Sequence, residues 1–239
     1  MLNNVFLAIV QGLTEFLPVS SSGHLVLFGK MLGTTTDISF TALLHLGTLL
    51  AVFVFAFKSL IRALKNWKII VNLVISTVPA VAVGFTLDEK IERTFNDTKF
   101  LPIFFCTTSV LLLLASMKKG SRTLEEMSFF DALIIGLFQA IAIFPGVSRS
   151  GSTIAASLLL NFKKEDSLSY SFLLALPVIA GAGLLKSSQM DPKWFYLGAI
   201  SFVVGLFALF LLRKIILSDK LKIFSVYCLV IGLVSFFVR

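Results

Sequence analysis

Two long apolar segments, each broken near its middle by proline, glycine and a serine cluster, restrict this chain more than any other feature. The first covers 4–32 and contains Gln11–Leu25, QGLTEFLPVSSSGHL; the second covers 129–160 and contains Gln139–Thr153, QAIAIFPGVSRSGST. At a constant offset of 128 residues, Gln11 meets Gln139, Phe16 meets Phe144, Ser20 meets Ser148, Ser22 meets Ser150 and Gly23 meets Gly151. The mismatches inform as much. Glu15 and His24 stand opposite Ile143 and Ser152, and Arg149 stands opposite Ser21. A duplicated scaffold has divided its polar chemistry between its halves.

Composition decides the solvent. The chain of 239 residues is 57% hydrophobic and 14% charged, with a mean hydropathy of +0.95. Soluble domains are nearer a quarter charged, so this reads as an all-α integral membrane protein. The net charge of +8 sits in short gaps between apolar runs, which fits the positive-inside bias better than a basic groove, and no nucleic-acid partner is expected. Cys106 and Cys228 lie in apolar runs at no metal or redox spacing and read as packing residues. The start, MLNNV, has no basic side chain, and the first apolar run holds Gln11 and Glu15, so no cleavable signal peptide is expected.

A crossing needs about 20 apolar residues. Six segments meet that: Phe40–Phe57, Ile69–Leu87, Phe100–Met117, Leu168–Leu185, Trp194–Leu212 and Leu221–Val238. Each broken segment is too long for one crossing and reads as a re-entrant helix–loop–helix, tolerated at membrane depth where protein or a wet cavity surrounds it. A re-entrant hairpin followed by three crossings leaves the next repeat upside down. The expected architecture is therefore an inverted-topology repeat, 1–120 and 121–239, forming one membrane domain with its two loops meeting at the midplane. Setting Arg149 aside, thirteen Lys and Arg fall on one side and seven on the other. The richer side is expected to be cytoplasmic, which turns both termini and the acidic loop of Asp88, Glu89, Glu92 and Asp97 outward.

The carboxylates single out one residue. All but Glu15 fall in predicted loops or at span ends, with Asp131 nearest to an exception. An ionisable group at depth costs several kcal/mol unless it is paired or faces water, so Glu15 reads as functional rather than as a snorkelling acid. Gln11, one turn earlier, shares its face. Both loops read as helix stop, turn and serine-capped helix start, presenting backbone N–H groups and the positive end of a dipole to an anion. Ser20, Ser21 and Ser22, and later Ser148, Ser150 and Thr153, add hydroxyls, and Arg149 adds a planar fork suited to phosphate oxygens. A single such cluster would merely let helices pack closely. Two in register, one carrying an arginine, point to an anion of about diphosphate size. His24 lies in the first turn after the first loop and can approach the pocket of Glu15 as a general base or nucleophile. His45 reads equally as a supporting hydrogen-bonding group or as packing.

These residues resemble a known family. Gln11-Gly-Leu-Thr-Glu15, Pro18-Val-Ser-Ser-Ser-Gly-His24, His45-Leu-Gly-Thr-Leu-Leu-Ala51 and Pro145-Gly-Val-Ser-Arg-Ser-Gly-Ser-Thr153 are similar to the signatures of bacterial undecaprenyl-diphosphate phosphatases of the bacitracin-resistance type. The resemblance runs along the whole chain. It implies a multi-pass protein of the bacterial plasma membrane that removes the terminal phosphate of undecaprenyl diphosphate, a polyprenyl lipid, and so recycles the carrier of cell-wall precursors. It also implies a divalent cation, Mg²⁺ or Ca²⁺. Gln11 departs from the family's glutamate at that position and removes one metal-binding carboxylate.

The expected site thus has Glu15, His24, Arg149 and Ser148 as catalytic residues, and Gln11, Ser20, Ser21, Ser22, Ser150 and Thr153 binding substrate. Glu15 would hold the cation or act as base, and His24 or a serine would be the nucleophile, or His24 would activate water. The pocket is expected to open outward, among membrane lipids, with a homodimer left open. A secondary transporter or flippase for a lipid phosphate is the competing reading, since fold is not function. A structural subunit leaves the buried Glu and Arg without a purpose.

Overall fold

The computed structural model describes residues 2–34, 38–86, 98–185 and 192–238. The acidic loop of Asp88, Glu89, Glu92 and Asp97 lies outside these residues.

The described residues are helical, without a β-sheet. The first broken segment forms α1 (Leu2–Phe16) and α2 (Ser21–Met31), which fold back on each other. After them come α3 (Ile38–Phe55), α4 (Phe57–Leu64), α5 (Trp67–Thr86) and α6 (Leu101–Ser116). The second broken segment forms α7 (Phe129–Ile141) and α8 (Arg149–Leu159), again packed on each other, followed by α9 (Lys164–Leu185), α10 (Phe195–Leu217) and α11 (Lys222–Phe236).

Each break has a local cause. At the first, Ser20 adopts φ 69°, a conformation that cannot continue a helix, and its hydroxyl accepts from Gly23 N at 3.3 Å to start α2. At the second, Gly146 takes φ 103° and Ser148 caps α8 by accepting from Gly151 N at 3.1 Å. The expected crossing Phe40–Phe57 ends in a bend of 69° between α3 and α4. Lys58, Arg62 and Lys65 enter the chain there, and α4 leaves the line of α3 where apolar surroundings would no longer suit it.

Among the described residues, Trp67–Thr86, Thr98–Ser116 and Phe195–Leu217 are long and apolar enough to cross a membrane, and α3 with α4 makes a fourth if the bent pair counts as one span. Their faces are the reverse of a soluble helix. On α5, Val74, Val78, Val81 and Phe85 are exposed at helical spacing, whereas Asn72, Ser76 and Ala80 are buried. On α10, Val203, Phe207 and Phe210 point out, while Ser201, Gly205 and Ala208 point in. Large apolar residues outside and small or polar ones inside suit a hydrocarbon solvent. The molecule is a multi-pass helical membrane protein.

The main core draws on both halves, with Phe16, Ala51 and Leu112 packed with Ile154, Leu158, Leu209 and Phe224. Helix α1 packs on α10 and α7 on α5, while α3 packs on α9 and on α10, and α6 packs on α11. Outside this body, several charges are paired. Arg62 meets Glu125 at 2.6 Å and Asp166 at 3.5 Å, Arg122 meets Asp131 at 2.6 Å, and Lys164 meets Asp219. Asp131 and Asp166 are buried like Glu15, but both stand in the first turn of a helix, where the dipole favours an anion. Glu15 alone of the three lies near a helix C-terminal end, with no such support from its own backbone.

Candidate active site

The two loops touch. Gly146 N donates to Ser20 Oγ at 3.0 Å, and Ser150 Oγ donates to the Leu17 carbonyl at 3.1 Å, so each loop braces the other. The contact leaves no room for side chains. A methyl group on Gly23 would lie 2.8 Å from Gly146 N, and one on Gly151 would lie 3.3 Å from Pro18 Cβ. Thr108 of α6 fastens the second loop from behind, donating to the Gly146 carbonyl at 2.9 Å and accepting from Ser148 N at 3.0 Å.

On this junction sits Glu15, with a carboxylate held on both oxygens. Oε2 accepts from Ser21 Oγ at 2.6 Å and from Gln11 Nε2 at 3.0 Å; Oε1 accepts from Arg149 Nη2 at 3.0 Å. The expected common face of Gln11 and Glu15 is therefore occupied by a hydrogen bond. Glu15 is buried, and the Arg149 side chain is 13% exposed, so the pair is largely removed from water. A buried carboxylate without a partner is costly, and here a guanidinium and two further donors, Ser21 and Gln11, supply the compensation.

His45 of α3 completes the group. Gln11 Nε2 lies 3.0 Å from His45 Nδ1, and His45 Nδ1 lies 3.7 Å from Glu15 Oε2. An amide nitrogen can only donate, so Nδ1 accepts and the ring proton stands on Nε2. The amide cannot be reversed, because that would set its oxygen against the Glu15 carboxylate. This places Gln11 Oε1 on the far side, where it is buried without a hydrogen-bond partner.

The other serines and Thr153 serve the scaffold of the site. Ser20 Oγ, Ser148 Oγ and Ser150 Oγ are engaged in the caps and loop braces described above, and Ser22 Oγ lies 3.3 Å from Ser20 Oγ. Thr153 donates within α8 and lies 2.7 Å from Ser171 Oγ of α9. His24 is 1% exposed, and its hydrogen bonds run away from Glu15: Nδ1 to the Ser20 carbonyl at 2.7 Å and Nε2 to the Tyr227 hydroxyl at 2.7 Å. Sequence reasoning missed Tyr227. It stands 203 residues from His24 in an ordinary apolar helix, and no spacing rule joins the two.

Elsewhere, an apolar groove of about 540 Å³ runs between α6 and α11, lined by residues such as Pro102, Cys106 and Phe236. Its lining contains no ionisable side chain other than that thiol. Cys106 and Cys228 are free thiols, and Cys228 packs against the Pro18 carbonyl at 3.5 Å.

A hydroxyl, a carboxylate and a guanidinium in hydrogen-bonded series, buried where two serine-capped helix starts meet, define a membrane protein equipped to receive and attack an anionic group. Residues 4–234 match the model of the family described as bacitracin resistance protein BacA. The chain belongs to that family. It is 43% identical to a protein named undecaprenyl-diphosphatase from Thermosipho africanus, over 99% of this chain and 100% of the relative. Similar proteins of that name occur in Thermotoga sp. strain RQ2, 43% identical over 98% of this chain and 99% of the relative, and in Methanococcus vannielii, 42% identical over 99% of each.

Proposed function

We propose that this protein is an undecaprenyl-diphosphatase, hydrolysing undecaprenyl diphosphate to undecaprenyl phosphate and inorganic phosphate. The observation that carries the mechanism is the series Ser21 Oγ–Glu15–Arg149, at 2.6 Å and 3.0 Å. A nucleophile, its base and a group that orients the base are the parts covalent phosphoryl transfer needs. Ser21 Oγ attacks the terminal phosphorus and passes its proton to Glu15. The new Oγ–P bond replaces the P–O bond to the lipid monophosphate, which leaves as its oxygen takes the proton from Glu15 and restores the carboxylate. Water, deprotonated by the restored Glu15 carboxylate, then attacks phosphorus; the Ser21 Oγ–P bond breaks, Glu15 returns the proton to Ser21 Oγ, and phosphate leaves.

Arg149 gains effect as the reaction proceeds. In the resting site its charge is spent on Glu15. Once Glu15 takes the serine proton, that ion pair dissolves and the guanidinium is available to the transferring phosphoryl group. A stabilising charge present more in the transition state than in the ground state is what accelerates a reaction.

The divalent cation expected from the resemblance suits the donors present. The Glu15 carboxylate offers the hard oxygen that Mg²⁺ or Ca²⁺ takes, while Gln11, which turns its nitrogen to Glu15, keeps its buried and unpartnered Oε1 on the far side. Bound there beside substrate phosphates, it would neutralise charge on the diphosphate. One carboxylate is a sparse set, which suits a cation held together with its substrate rather than a permanent one.

Support for two inverted halves, 1–120 and 121–239, comes from reciprocity. Gly23 packs on Gly146, while Gly151 packs on Pro18, and each glycine and each partner is the other's equivalent at the repeat offset. Helix α1 packs on the last-but-one helix of the second half, and α7 packs on the matching helix, α5, of the first. A two-fold relation in the membrane plane would produce both patterns. The charge bias supports a site opening outward from a bacterial plasma membrane.

Phosphate release from undecaprenyl diphosphate by purified protein in detergent, with and without chelator, tests the reading. Metal-dependent release lost in Glu15→Gln is expected. No release from folded wild-type protein under any divalent cation would favour a carrier of lipid phosphates instead.

A further inference from the structure

The hydroxyl of Tyr227 reaches His24 Nε2 at 2.7 Å, and the two rings stack at 5.6 Å between centroids with 8° between planes. On the other side of the imidazole, Nδ1 lies 2.7 Å from the Ser20 carbonyl. A carbonyl only accepts, so Nδ1 carries the proton. The ring is buried among Phe28, Phe105 and Tyr227, with Phe105 edge-on at 5.3 Å, and no carboxylate faces it among the described contacts. Such surroundings favour a neutral ring. Nε2 then has a lone pair, and Tyr227 donates to it.

We propose that Tyr227 is a positioning residue of the active site, acting through His24 on the first loop. The chain Tyr227 O–H to His24 Nε2, then His24 Nδ1–H to Ser20 O, terminates on the residue that holds φ 69°. A serine in that conformation persists only where its neighbours impose it. Its carbonyl is tied down by His24, and its hydroxyl is tied to Gly146 N. The next residue is Ser21, whose hydroxyl must meet Glu15. Tyr227 therefore fixes the tautomer and tilt of His24, His24 fixes the Ser20 peptide, and that peptide aims Ser21. The same contacts occupy the ring's only basic atom, so in this arrangement His24 orients the nucleophile's loop rather than accepting a proton.

The proposal rests on the phosphatase reading only for its kinetic arm, and the chain's composition supplies an independent one. The protein has 2 histidines, so ¹⁵N-histidine labelling gives two rings, assigned with His45→Asn. In wild-type protein His24 should show a protonated Nδ1 and an unprotonated, hydrogen-bonded Nε2. Tyr227→Phe keeps the stacked ring and removes the donor. It should shift the Nε2 resonance alone and lower kcat for phosphate release by about three- to tenfold, with KM unchanged. Tyr196→Phe, on exposed α10 surface, should change neither. A wild-type His24 protonated on Nε2, or a Tyr227→Phe protein with unaltered Nε2 resonance and kcat, overturns the proposal. Should Tyr227→Phe fail to fold, the wild-type tautomer decides. Wild-type protein with the expected tautomer and no phosphate release would overturn the phosphatase reading and leave the hydrogen-bonded chain standing.

Discussion

Ser21 and Arg149 occupy equivalent positions of the two sequence copies, 128 residues apart, and hold opposite oxygens of one carboxylate. Ser21 Oγ donates to Glu15 Oε2 at 2.6 Å, and Arg149 Nη2 donates to Oε1 at 3.0 Å. Duplication alone would have given two like residues at the first turn of each second half-helix. Divergence of one to arginine makes a neutral donor and a charged one converge on the same acid, which turns a symmetric junction into a directional site.

That asymmetry predicts unequal losses. Arg149→Ala should lower kcat roughly a hundred- to a thousandfold, the range for removing a preorganised charge from a developing anion. Arg149→Lys should recover only part, since a point charge cannot replace the fork. Phosphate release, read beside a monodisperse elution profile, checks both.

Ser21 and Ser22 adjoin but differ in surroundings, and only Ser21 meets the carboxylate. Ser21→Ala should abolish turnover, and Ser22→Ala should stay within about fivefold of wild type, the worth of one ordinary hydrogen bond. Rapid acid quench of wild-type protein with labelled substrate should place phosphate on Ser21. A burst of phosphoprotein in Ser21→Ala would remove this serine from the mechanism.

The loop junction predicts a difference between equivalent glycines. A methyl on Gly23 would come within 2.7 Å of Phe105 and 2.8 Å of the Gly146 backbone, whereas on Gly151 the nearest contact is 3.0 Å and lies within its own cap. Overpacking costs about 1–3 kcal/mol. Gly23→Ala should lower the melting temperature clearly, and Gly151→Ala less, in thermal unfolding of the detergent-solubilised protein.

Much of this was legible in the sequence, and the remainder was hidden for physical reasons. Pro18 with Ser20, and Pro145 with Gly146, mark the two breaks because they forbid a continuous helix. Gln11 and Glu15 share a face because they stand one turn apart. The division of labour among Ser20, Ser21 and Ser22 was not legible. Three identical side chains are sorted only by the backbone turn at Ser20, which sends one hydroxyl to the other loop and the next to Glu15. Nor was the partner of His24, because a contact between α2 and α11 leaves no periodic trace.

In acid, below about pH 4.3, the loop between the halves should weaken. Burial pushes the Glu125 carboxyl up, but the hydrogen bond and charge of Arg62 outweigh it and hold it below the ordinary carboxylate range. A carboxyl depressed in the folded state stabilises above its unfolded value of about 4.3, and that contribution is lost as pH falls through the folded value. Both partners are exposed, so the effect stays under about 1 kcal/mol. Melting temperature measured from neutral pH down to acid should fall more shallowly in Arg62→Ala than in wild type.

Gln11→Glu tests the sparse cation site. The Gln11 amide is fully buried and donates to Glu15 Oε2 at 3.0 Å. A carboxylate there would replace that donor with a like charge at hydrogen-bond distance from the first. Two carboxylates so close, out of water, cannot both remain ionised without a cation between them. Either one takes a proton, which disarms Glu15 as base, or a divalent ion enters and is held by both. The variant should therefore be slower than wild type at low divalent concentration and recover as the concentration rises. It should also bind Ca²⁺ in the absence of substrate more tightly by calorimetry, a readout independent of turnover. Unchanged affinity, with activity insensitive to added cation, would place any metal of this site away from Gln11 and Glu15.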